Sequence, residues 1–252
     1  MMRIVLLLAV VAGAWLPDRG EPPMTVSAAI SLTNALEEIV NVYERAGGGP
    51  VRLNLAGSNA LARQIVNGAP VDVFISADEA QMTIVERAGR VAPGTRVDLL
   101  GNQLAVVAAP ERATFVGRRF GAAPPEIRRL AIGDPAAVPA GVYAREYLEK
   151  TGLWKAYAPR IVPTINVRAA LTAVESGGAD AAIVYLTDTV IATRAVVAMV
   201  VPAAQGPRIV YPAAVIASSQ VPDAARRFLA FLRGPEASAI FTRHRFLPAP
   251  GR

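Results

Sequence analysis

The sequence predicts an α/β protein of two lobes, each a mainly parallel sheet flanked by helices, with a ligand held in the cleft between them. Three observations carry this. Strand-like and helix-like stretches alternate three times between residues 24 and 88, the pattern of parallel strands joined by helical crossovers. The rhythm breaks near residues 101–105 and resumes after residue 125, as expected of a chain that leaves one sheet to build another. A late segment beyond about residue 212 returns to the first sheet. The expected division is residues 24–102 with 213–252 for lobe I and 103–212 for lobe II.

Val26 to Ile30 is a run of small and β-branched residues and reads as a short buried strand. At Ser31 the period changes. Leu32, Leu36, Ile39 and Tyr43 recur at helical spacing, with Glu37, Glu38 and Asn41 on the opposite face. Gly47-Gly48-Gly49-Pro50 turns the chain, residues 51–56 alternate as a strand, and residues 60–67 read as a helix that Gly68 stops. Residues 71–75, VDVFI, form a third buried strand before a helix over 79–88 that Gly89 ends. Residues 103–109 are another apolar run, whereas 110–125 are polar, Arg-rich and read as irregular. Strands follow at 130–133, 160–162, 181–184, 196–201 and 209–217, with helices at 141–151 and 167–176 stopped by Gly152 and Gly177. Pro222 opens a helix that Gly234 closes, and a last helix runs from Pro235 to about Arg243.

Composition excludes several function classes. There are no cysteines, which removes disulfides, thiolate metal sites and thiol catalysis together. The one histidine, His244, cannot form a histidine-cluster metal site. The net charge of +6 comes from scattered arginines with no basic run interleaved with aromatics, so a nucleic-acid surface is not indicated. Met1-Met2-Arg3, the apolar stretch from Ile4 to Leu16, the small residues Ala12-Gly13-Ala14 and the Pro-rich exit to Pro23 read as a secretory signal peptide with its exit segment over residues 1–23. The mature chain is then expected to be exported and soluble.

Four strand-to-helix junctions look alike. Ser31 and Ser58 each offer a hydroxyl beside unpaired backbone N–H groups, and Ala140 and Val167 offer amides alone. Tyr185 ends a strand and adds a phenol. A serine in such a place is also a plain helix cap; recurrence of the device is what points to a ligand. All five are neutral donors, and helix N-termini converging on one point hold an oxyanion by charge-assisted hydrogen bonds. Such a site accepts a fully ionised tetrahedral dianion and leaves the O–H of a protonated phosphate without an acceptor. No phosphate-binding glycine loop, dinucleotide motif or metal-protease helix is present. Asp72, Asp78, Asp134, Asp180 and Asp188 read as caps and turn formers.

The segments AAISLTNAL (28–36), LARQIVNGAPVDVFISAD (61–78), LLGNQLAVVA (99–108), IGDPAAVPAGVYARE (132–146), VRAAL (167–171) and IVYLTD (183–188) cover nearly the whole mature chain in order. In them the chain resembles the periplasmic molybdate-binding proteins that feed ABC transporters. The resemblance implies a two-lobed class II periplasmic-binding-protein fold that closes on molybdate or tungstate, needs no cofactor, acts as a monomer and docks on a membrane permease. It further implies that the oxyanion oxygens, not the metal itself, are contacted by Ser31, Ser58, Ala140, Val167 and Tyr185. Two departures from the family pattern stand out: AGSNA around Ser58 is less serine-rich, and Leu186-Thr187 after Tyr185 is bulkier. Two alternatives remain at this point. Another tetrahedral oxyanion such as sulfate suits the same donors, and a secreted hydrolase using Ser31 or Ser58 needs a base that only His244, Lys150 or Lys155 can supply.

Overall fold

The computed structural model describes residues 22–251; the signal peptide expected over residues 1–23 lies almost wholly outside them. Met24–Ala29 (β1) leads through a 3-10 turn, Ile30–Leu32, into the helix Thr33–Arg45 (α1) and returns as Val51–Ala56 (β2), parallel to β1. The helix Ser58–Val66 (α2), the strand Val73–Ile75 (β3), parallel to β1, and the helix Glu79–Arg87 (α3) complete three β–α units. The glycines that stop α2 and α3, Gly68 and Gly89, both have positive φ, a conformation that costs a glycine little.

Val97–Gly101 (β4) ends the first passage, and two residues later the chain enters a second sheet as Leu104–Ala108 (β5). There follow the helix Pro110–Arg119 (α4), the strand Leu130–Gly133 (β6), the helices Pro139–Lys150 (α5) and Trp154–Tyr157 (α6), and the strand Ile161–Thr164 (β7). The helix Val167–Glu175 (α7), the strand Ala181–Tyr185 (β8), a 3-10 turn at Leu186–Ile191 and the strand Val196–Val200 (β9) end this passage. Val210–Val215 (β10) re-enters the first sheet, followed by the helices Pro222–Leu232 (α8) and Pro235–Arg243 (α9) and the short strand Leu247–Pro248 (β11).

Among the described residues the sheets run β11-β4-β10-β3-β1-β2 and β7-β6-β8-β5-β9. Both are mixed. Helical crossovers make β1, β2 and β3 mutually parallel, and likewise β6, β7 and β8. The strands that carry the chain out and back are antiparallel to their neighbours: β4 leaves beside β10, which returns, and β5 lies between β8 and β9. One apolar core spans both sheets, with Tyr43 of α1 edge-on to Phe228 of α8 at 5.0 Å. A smaller cluster packs α2 and α3 on the first sheet through Leu61, Ile65, Phe74 and Met82.

Three expectations need correction. The segment expected to be irregular after residue 110 begins with α4, because Pro110 sits in its first turn, where a missing N–H costs nothing. Its buried stripe is narrow, with Val116 inward among charged residues. Gly117 lets the helix lie directly on the edge strand: a Cβ there would stand 2.3 Å from the Ala198 carbonyl oxygen. The strands β4 and β11 were not expected at all. The helix after Gly57 begins at Ser58 itself, not at Ala60.

Candidate anion-binding site

The strands β1, β2, β6 and β8 end at Ala29, Ala56, Gly133 and Tyr185, and the helical turns that follow the first three converge with the start of α7 on one cavity between the sheets. It is small, about 220 Å³ even when the space open to solvent at its mouth is counted. All five residues singled out from the sequence line it, each nearly buried. Ser31 sits in the 3-10 turn before α1, Ser58 is the first residue of α2, Ala140 the second of α5, and Val167 the first of α7. The first amides of α2, α5 and α7 have no acceptor within their own helices. Among the described residues no charged side chain lines the cavity.

Neither serine is a side-chain cap. Ser31 Oγ lies 3.0 Å from the Tyr211 hydroxyl, and Ser58 Oγ accepts the Ala77 N–H at 2.9 Å. The Tyr185 hydroxyl is buried and makes no hydrogen bond to any group among the described residues. Burial, first, and the nearby Tyr211 push its ionisation well above the ordinary phenol range, so it stays a neutral donor. Leu186 does not line the cavity, and Thr187 turns away to accept the Asn102 side-chain amide at 3.0 Å.

The lobes meet closely around this cavity. Arg168 Nη2 of α7 donates to Asn34 Oδ1 of α1 at 2.7 Å, one residue from Val167. Gly57 before α2 faces the second sheet's side: a Cβ there would stand 3.2 Å from the Ile165 carbonyl oxygen. The wall beside Ser58 therefore owes its close fit to glycine in AGSNA.

Behind Arg168 lies Asp188, fully buried, with Oδ1 3.5 Å from Arg168 Nε. That is near enough for an ion pair and too long for a good hydrogen bond. Asp188 is thus not the turn former expected; Asp78, which caps α3 through Gln81 N–H, is. Burial pushes the Asp188 carboxyl up to about 7, against the pull of Arg168. The other titratable groups beside it, Tyr185 and Tyr211, stay protonated because burial raises both. Between about pH 4 and 7 the folded state then holds a proton that the unfolded chain has released, so stability falls as pH rises across that window and levels off above it. Asp188→Asn removes this dependence. Between about pH 5 and pH 8 the variant should gain roughly 3 kcal/mol on wild type, the slope being about 1.4 kcal/mol per pH unit until the carboxyl ionises near pH 7. Urea unfolding at the two pH values reads this directly; a pH-independent difference would contradict it.

A hydrolase needs a base at one of these serines, and none is there among the described residues. His244 Nε2 sits 3.0 Å from Glu38 on the α1–α9 face, and Lys150 donates to the Ala204 and Gly206 carbonyls. Sequence reasoning missed Asn102, Tyr211 and the Arg168–Asp188 pair. Tyr211 was visible as the one polar-tipped side chain in the apolar run IVYPAAV, but nothing local tied it to Ser31, 180 residues away.

Two α/β lobes joined by two chain crossings, with helix N-termini facing a small cleft between the sheets, have the architecture of a solute-binding receptor. The chain belongs to the bacterial extracellular solute-binding protein family, whose model matches residues 24–247. It is 38% identical over 240 residues to the molybdate-binding protein ModA of Escherichia coli K12, covering 94% of this chain and 92% of that one. The periplasmic molybdate-binding protein of Azotobacter vinelandii superposes with a TM-score of 0.81 at 26% identity, over 90% of this chain and 100% of that one. The sulfate-binding protein SubI of Mycobacterium tuberculosis superposes at 0.74 over 90% of this chain and 86% of that one; at 16% identity that likeness shows the fold alone. Membership places the chain among binding proteins, not enzymes, that take a solute without a cofactor. Among the described residues no helix is long and apolar enough to cross a membrane.

Proposed function

We propose that this chain is a periplasmic receptor that captures molybdate, and tungstate with it, and delivers the anion as a monomer to the membrane permease of an ABC importer. The observation that carries the reading is the Tyr185 hydroxyl: buried and without a partner among the described residues, in a cavity walled by two serine hydroxyls and the first turns of three helices. In the proposed complex Ser31, Ser58 and Tyr185 donate hydroxyl hydrogens, and the backbone of Ser31, Ser58, Ala140 and Val167 donates amides, all to oxyanion oxygens. The names of the relatives support molybdate as the solute. The leader over residues 1–23 is the proposed export signal. The two lobes are proposed as residues 24–102 with 213–252 and residues 103–212. Because β10 begins at Val210 and pairs wholly within the first sheet, the second boundary is better drawn between Val200 and Val210.

Thermal-shift titration with molybdate, tungstate, sulfate and phosphate at equal ionic strength tests the reading. A ligand that binds only the folded state stabilises it by roughly 2.7 kcal/mol at about 100-fold excess over Kd. Molybdate and tungstate should raise the midpoint strongly, and sulfate and phosphate little. A sulfate response as large as that of molybdate would keep the site and replace the solute; no response to any anion would remove the receptor reading.

A further inference from the structure

Resting on the oxyanion-receptor reading, we propose that Asn102 and Tyr211 are positioning residues that set the direction of the Ser31 hydroxyl, and so make the site reject anions that carry a proton. Neither residue lines the cavity. Both are buried behind Ser31, where the chain crosses from the first sheet to the second.

The direction follows from counting hydrogens. Asn102 Oδ1 accepts the Gln103 N–H at 2.8 Å, which fixes which end of the amide faces where. Its nitrogen then donates one hydrogen to Thr187 Oγ1 at 3.0 Å and the other to the Tyr211 oxygen at 3.1 Å. An amide nitrogen accepts nothing, so Tyr211 must spend its own single hydrogen elsewhere. Ser31 Oγ, 3.0 Å away, is the remaining partner of that fully buried phenol. If Ser31 instead donated to Tyr211, the phenol hydrogen would be buried without an acceptor, which is the costly arrangement. The bonds therefore run Asn102 to Tyr211 to Ser31. The Ser31 oxygen is occupied as an acceptor and its hydrogen is left for the cavity.

Ser58 is set the same way by a backbone group. The Ala77 N–H donates to its oxygen, which frees its hydrogen for the cavity. Ser31 has no such backbone donor on its hydroxyl among the described residues and depends on two side chains far away in sequence. Its polarity is thus the one that substitution can reverse.

Asn102→Asp is the reversing change. An ionised carboxylate only accepts, so Tyr211 turns its hydrogen to residue 102, Ser31 donates to Tyr211, and the Ser31 lone pair faces the ligand. Calorimetric titration of wild type and variant with molybdate and with phosphate is done at mildly alkaline pH, where phosphate is chiefly a dianion that still carries one proton. The added negative charge repels both dianions alike, so the ratio of their dissociation constants isolates the polarity. That ratio should shift toward phosphate by about tenfold or more in Asn102→Asp. Tyr211→Phe should shift it less, by roughly threefold, because the Ser31 hydroxyl is then free to turn either way. The double variant should fall back to the Tyr211→Phe value, since the reversal travels through the phenol. Equal weakening of both anions in Asn102→Asp, with the ratio unchanged, would overturn the proposal. Should Asn102→Asp fail to fold, an unchanged ratio in Tyr211→Phe overturns it as well. Absence of molybdate binding by wild type would instead sink the receptor reading, and this inference with it.

Discussion

Gly141→Ala should abolish anion capture and destabilise the fold by roughly 3 kcal/mol, the upper range for forcing extra volume into a packed interior. A Cβ on residue 141 would stand 1.9 Å from the Gly133 carbonyl oxygen, 2.4 Å from its carbon and 2.7 Å from the Asp134 oxygen. All three are backbone atoms, with no flexible side chain to swing away. Gly133 is confined too, though less tightly: a Cβ there would meet Val138 Cγ1 at 2.6 Å and the Gly141 nitrogen at 3.0 Å. The two glycines let the first turn of α5 rest on the end of β6, and that turn carries Ala140. An added methyl must lift the helix start and move the Ala140 amide off its aim. Urea unfolding followed by circular dichroism reads the stability, and the molybdate-induced thermal shift reads the site. A variant with both at wild-type values would show that the helix start is free to give.

Ser58→Ala should weaken molybdate binding by about 100-fold, the upper part of the range expected when one hydrogen bond to a charged group is lost. The serine does two things at once. Its hydrogen is directed at the cavity, and its oxygen takes the buried Ala77 N–H. Alanine removes the first and strands the second, so the free protein should also lose about 1–2 kcal/mol. Calorimetric titration and urea unfolding separate the two losses. A molybdate isotherm superposable on wild type would mean that Ser58 holds Ala77 and nothing else.

Much of the architecture was legible because it is local. Burial periodicity marked β1, β3 and β8, and the glycines at 68, 89, 152 and 177, all with positive φ, marked where helices stop. The junctions holding Ser31, Ser58, Ala140, Val167 and Tyr185 were legible for the same reason, and the structure brings them to one cavity. What escaped is what depends on partners distant in sequence. The strand β10 is buried on both faces, so VYPAAV reads alike whether its neighbours run parallel or antiparallel. The helix α4 hides a single buried stripe among arginines. Asn102 and Tyr211, 109 residues apart, have no shared pattern that a local reading can register.

The strand order of the first sheet also governs how the protein is assembled in time. Strand β10 lies between β3 and β4, pairing Ala213 with Ile75 and Val210 with Gly101. Until residues 210–215 are available, β3 and β4 have no common neighbour and the sheet is split down its middle. The second sheet, by contrast, is built entirely from one uninterrupted stretch, β5 to β9, and has all its strands in hand before β10 begins. Closing the first sheet spans a large loop, the kind of non-local pairing that slows folding. The first sheet is therefore completed only when this late strand joins its two early halves.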